Sequence, residues 1–136
     1  MDLKQEFNFS SDKELNGVWR EIDSQGTKIL VARAGNRKFE AFLEKIMMEH
    51  RSRLRVLRGE GIDPVVREEL TNRAIAETIL LGWEGLTENG VTLEYSKAEA
   101  KRLLETYRDF KNIVVEESMR HDAFRLEEQK EAEKNS

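Results

Sequence analysis

The chain has 136 residues, 38% apolar and 37% charged, with a formal net charge of −4. That is enough apolar material for one domain with its own core, and too slight a charge imbalance to announce a polyanionic partner. With no cysteine, disulfides, thiolate catalysis, zinc fingers and iron–sulfur sites are excluded. No run approaches the ~18 apolar residues of a spanning helix, and the first nine residues lack a signal-peptide layout, so a cytosolic address away from membranes is expected.

One proline and eight glycines leave few enforced breaks, so helices should dominate. Residues 1–14 carry Phe7 and Phe9 among polar residues in no clear period and are expected to be an arm that docks through its two aromatics or stays mobile. Residues 15–124 form a single globular domain, and 125–136 a charged tail. Residues 18–22 and 27–33 are rich in β-branched and aromatic side chains and flank Asp23-Ser24-Gln25-Gly26, which predicts a β-hairpin with Trp19 and Glu21 on one face and Val18, Arg20 and Ile22 on the other.

Asn36 is placed to cap a first helix over residues 37–58, whose apolar residues Phe39, Phe42, Leu43, Ile46, Met47, Leu54 and Leu57 recur at helical spacing, and Gly59 and Gly61 end it. Asp63-Pro64 opens a second helix, whose face of Val66, Leu70, Ala74, Ile75, Ile79 and Trp83 carries it to residue 82 or 83 before Gly85. Asn89-Gly90 predicts a small hairpin or extended loop near residues 86–95. Ser96 with Glu99 fits a capping box for a third helix, and Asp109 with Asn112 a fourth that carries Phe110, Ile113, Val114, Met119 and Phe124. The fold class is therefore α+β, mainly helical: an N-terminal hairpin followed by about four helices.

Catalytic chemistry finds little footing. His50 borders an apolar helix face beside Arg51, and neither it nor His121 has a nucleophile in its neighbourhood. Glu117 and His121, four apart and next to Asp122, offer two metal ligands where three or four are needed, so a solvated ion pair is the expected reading. Carboxylates lie scattered without an apolar pocket, and Gly59-Glu60-Gly61 is too short for a phosphate cradle. No enzyme activity, cofactor or metal is expected. Arg37, Lys38, Lys45, Arg51, Arg53, Arg55 and Arg58 outnumber Glu40, Glu44 and Glu49, so a small nucleic-acid-binding or regulatory protein using the face from Arg51 to Arg58 is the alternative; no aromatics are interleaved for base stacking, which disfavours it.

The order of hairpin, Asn36-Arg37-Lys38-Phe39, Leu81-Gly82-Trp83-Glu84-Gly85-Leu86, Glu88-Asn89-Gly90 and Tyr95-Ser96, followed by a helix pair and a charged tail, resembles the tail assembly chaperones of long-tailed bacteriophages and prophages. The resemblance implies a small, mainly helical, non-enzymatic factor of the host cell cytoplasm that binds the tape measure protein while the tail tube protein polymerises around it. Many such chaperones also exist in a longer, frameshifted form. Trp19, Met119 and Phe124 have the weakest claim to a closed core and are the candidate partner contacts. The unpaired hairpin edge is a further place for self-association into a homo-oligomer. Trp83, continuing the Ile75 and Ile79 period, is expected in the core.

Overall fold

The computed structural model describes residues 1–54 and 63–126. Asp23 closes the first hairpin: its carboxylate accepts hydrogen bonds from the N–H of Gln25 (2.8 Å), the N–H of Thr27 (3.0 Å) and the Thr27 hydroxyl (2.7 Å). A short acceptor side chain folded back on its own turn is what favours aspartate here. The same bonds, the Thr27 hydroxyl first, favour its ionised form and lower its pKa. The strands that this turn joins, β1 (Val18–Glu21) and β2 (Lys28–Val31), pair antiparallel with Trp19 opposite Leu30 and Arg20 opposite Ile29.

β2 is nevertheless a central strand. Its other side pairs with β3 (Leu80–Glu84), placing Trp83 opposite Ile29 and Gly82 opposite Leu30, with an irregularity between Leu30 and Val31. This corrects the expected second helix: α5 (Pro64–Thr78) stops five residues before Trp83. Ile79 and Trp83 are four apart and so fit a helical period, but Leu80, Leu81 and Trp83 suit a strand equally well. β2 has backbone groups on both sides to satisfy, and the pairing with β3 settles the matter.

Caps behave as their residue types dictate. Asn36 Oδ1 accepts from the N–H groups of Lys38 and Phe39 at the start of α3 (Arg37–Glu49), and Asp63 caps α5 through the N–H of Val65, with Pro64 at the first position. The helix expected over residues 37–58 is interrupted at His50 and resumes as α4 (Arg51–Leu54); the expected continuation through Leu57 and Arg58 and the stop at Gly59 and Gly61 fall outside the described residues. Ser96 caps α6 (Lys97–Thr106) by accepting from the Glu99 N–H, while the Glu99 carboxylate turns to Arg102, so only half of the capping box forms. α7 (Arg108–Ser118) begins at Tyr107 without a side-chain cap, so Asp109 and Asn112 lie inside it, and it ends before Met119 and Phe124. Phe124 instead closes a 3-10 turn, His121–Phe124.

Ile29, Val31, Leu80 and Trp83 form the inner face of the sheet and pack with Ile75, Ile79, Leu103, Leu104 and Val114 from the helices. A satellite cluster of Ile46, Leu70 and Ala74 joins α3 to α5. In the N-terminal arm, α1 (Leu3–Glu6) and α2 (Ser11–Asn16) are short helices, and Phe9, between them, bridges Arg125. Of the expected charged tail, residues 127–136 fall outside the described ones.

Candidate functional site

Asn89 (φ 52°) and Gly90 (φ 77°) take the two left-handed positions of a tight turn between β4 (Thr87–Glu88) and β5 (Val91–Thr92), the conformation that an Asn-Gly pair favours. Two strands of two residues cannot hold themselves in water. The hairpin is anchored from below: the Trp83 indole N–H donates to the Leu93 carbonyl (2.9 Å) and the Tyr95 hydroxyl to the Leu80 carbonyl (2.8 Å), with the two rings edge to face at 4.9 Å. Burial, reinforced by the Glu77 carboxylate, pushes the Tyr95 phenol up. Tyr95 therefore stays a neutral donor.

Arg102 of α6 grips the hairpin from the side. Its guanidinium binds both carboxylate oxygens of Glu88 (3.0 and 3.2 Å) and both of Glu99 (2.9 Å each), and the Tyr107 hydroxyl donates to Glu88 as well. The fork geometry of arginine allows this bidentate hold, which a lysine could not reproduce. Glu88 is held below its ordinary pKa by Arg102 first and Tyr107 second, Glu99 by Arg102, while Arg102 and Tyr107 shift upward. Glu88 is thus a structural anion, unsuited to proton transfer near neutrality.

Between this braced hairpin and the α6–α7 pair lies a groove of about 450 Å³, lined by Leu86, Leu93, Leu103, Phe110 and Ile113, with Glu88 and the exposed Thr87, Asn89, Tyr107 and Asp109. Its walls are apolar, and the charged groups among its described lining residues, Glu88 and Asp109, are acidic, a surface suited to apolar side chains of another molecule. Neither described histidine lines it, and among the described residues no group of three or more His, Cys, Asp or Glu is arranged to hold a metal.

The residues singled out in the sequence do not converge on this groove. Trp19 is 48% exposed on the outer face of the sheet, its ring across Gly82, and Met119 is 62% exposed beyond α7. Phe124, expected at the surface, is 0% exposed; it follows α7 in a turn that directs it inward, so its weak claim to a core is corrected. Glu117 is no partner of His121: its carboxylate is buried between Arg20 (3.0 Å) and Arg120 (2.9 Å), tying β1 to the end of α7. His121 packs edge-on against Phe7 and Phe9. On the basic face, Arg53 pairs with Glu69 (2.9 Å) and Arg51 is exposed, while Arg55 and Arg58 fall outside the described residues. The groove itself went unforeseen, because Leu86 and Leu93 belong to a loop and Phe110 and Ile113 to a helix whose mutual approach no local pattern encodes.

No curated protein and no solved structure matches this chain. A family model does, over residues 34–135: the YdaY prophage protein. The match takes in α3, α5, the β4–β5 hairpin, α6 and α7, hence the whole groove, and leaves out the arm, β1 and β2. The match spans three quarters of the sequence, and the chain belongs to the YdaY prophage protein family.

Proposed function

We propose that this prophage protein is a non-enzymatic tail assembly chaperone that acts in the host cell cytoplasm and shields an apolar-faced segment of the tape measure protein, and through it serves the tail tube protein during polymerisation. The observation that carries this reading is the groove: Leu86, Leu93, Phe110 and Ile113 are only partly buried and gathered in one place, beside a hairpin that Arg102 braces through Glu88. A long helical protein awaiting assembly presents apolar stripes liable to aggregate, and a groove of this kind masks such a stripe reversibly. Trp19 and Met119 add exposed apolar area outside the groove.

The test is co-expression with the tape measure protein of the same prophage. The wild-type chain should keep it soluble. Ile113→Glu, which puts a charge into the groove at a side chain outside the main apolar cluster, should weaken the complex about tenfold or more while leaving the circular dichroism unchanged. Equal solubility with and without the chaperone would overturn the reading. So would a complex that dissolves steeply with salt, the signature of the nucleic-acid alternative if DNA is what the protein retains.

A further inference from the structure

Phe124 is fully buried, yet it belongs to neither apolar cluster of the described residues. Its segment is hydrogen-bonded to the N-terminal arm. The Ser10 N–H donates to the Phe124 carbonyl (2.9 Å), the Lys13 ammonium to the Arg125 carbonyl (2.8 Å) and the Leu126 N–H to the Asn8 carbonyl (3.4 Å), and Phe9 bridges Arg125 antiparallel. The Phe9 ring is in turn sandwiched: the Arg33 guanidinium sits 3.7 Å over it and His121 meets it edge-on at 5.6 Å, with Arg33 fixed by Glu14 at 2.6 Å.

This hold is unlike the one that keeps the rest of the chain together. Neither arm helix contains a buried residue, and helices of four and six residues do not persist alone. A region with few buried apolar contacts and peripheral hydrogen bonds opens at lower free energy than the core. The arm also lies outside the family match, while residues 121–126, which it covers, lie inside. The family match therefore takes in the segment that carries Phe124 and leaves out the arm that is hydrogen-bonded to it.

We propose that the arm is a strap: residues 7–13 close over residues 121–126 as one unit, open without disturbing the sheet and helices, and while closed withhold Phe124 from a partner. Opening would set Phe124 beside Met119, already 62% exposed, and so complete an apolar surface beyond α7. The partner in this statement rests on the chaperone reading, but the opening and the concealment do not.

Hydrogen exchange on the full chain tests the opening. In Phe9→Ala, amides of residues 8–10 and 121–126 should exchange about tenfold faster, with those of β2 and α5 unchanged. If β2 and α5 accelerate equally, the arm is part of the global core and the strap is overturned; unchanged exchange at 121–126 overturns it too. Arg33→Met, which removes the cation from the Phe9 ring without touching the aromatics, should give the same local pattern should Phe9→Ala fold poorly. Concealment is read with an environment-sensitive apolar dye. Phe9→Ala should raise dye fluorescence and Phe9→Ala with Phe124→Ala should lose the gain; a gain that survives removal of Phe124, or no gain at all, overturns it. Neither readout involves the tape measure protein, so failure of the chaperone reading would leave both results interpretable.

Discussion

The two tryptophans occupy adjoining rungs of one sheet and opposite faces of it. Trp83 is 7% exposed on the inner face, with its N–H bonded to the Leu93 carbonyl and its ring against Tyr95; Trp19 is 48% exposed on the outer face, lying across Gly82. The difference is not in the residue but in what stands opposite. Inside, the ring belongs to the apolar cluster that α5, α6 and α7 share with the sheet, and a loop supplies an acceptor; outside, the missing side chain of Gly82 leaves a shallow seat for an indole that stays half exposed. A buried tryptophan whose polar atom is satisfied organises its surroundings, whereas a half-covered one adds apolar area that another molecule can use.

Three substitutions break or sharpen this comparison. Trp83→Ala should be the most damaging, costing about 3–5 kcal/mol in urea unfolding, because it opens a cavity and releases the Leu93 carbonyl together. It should also loosen the β4–β5 hairpin, visible as faster exchange at residues 86–95 relative to β2. Trp19→Ala should change stability by within about 1 kcal/mol, as for a partly exposed side chain, yet lower the yield of soluble tape measure protein on co-expression. A folded Trp19→Ala protein that keeps the tape measure protein fully soluble would remove Trp19 from the contact surface.

The smallest effect concerns the hairpin from its other side. Glu88 has its pKa lowered from the ordinary 4.5 by Arg102 and Tyr107, so the unfolded chain binds that proton more readily than the folded one. Its contribution to stability is present above 4.5 and is lost as pH falls through the lower, folded value. Glu88→Gln should therefore be less stable than wild type at neutral pH, with the two proteins converging in strong acid. Parallel curves across that range would mean that the clamp does not depend on the charge of Glu88.

Where the sequence was informative, the interactions were short in range. Asn36, Asp63 and Ser96 cap the helices whose starts they announced, Asp23 folds back on its own turn, and Asn89-Gly90 turns where an Asn-Gly pair should. The failures share a cause as well. The segment from Ile79 to Trp83 satisfies helical and extended periods alike, Phe124 follows a helix end whose direction it cannot know, and Glu117 finds one of its two cations 97 residues away in Arg20. Each of these outcomes depends on a neighbour brought from elsewhere in the chain.

The sequence by itself determined the α+β class, the turns and caps, and a helix-rich body with an N-terminal hairpin, because those follow from the φ preferences, short side-chain acceptors and apolar spacing of residues close together. Only the tertiary structure decided that β2 would be central, that Phe124 would be buried in a segment hydrogen-bonded to the arm, and that a loop and two helices would enclose an apolar groove beside the hairpin that Arg102 braces. Burial and pairing are properties of what stands across from a residue, and a one-dimensional pattern does not contain its own opposite wall.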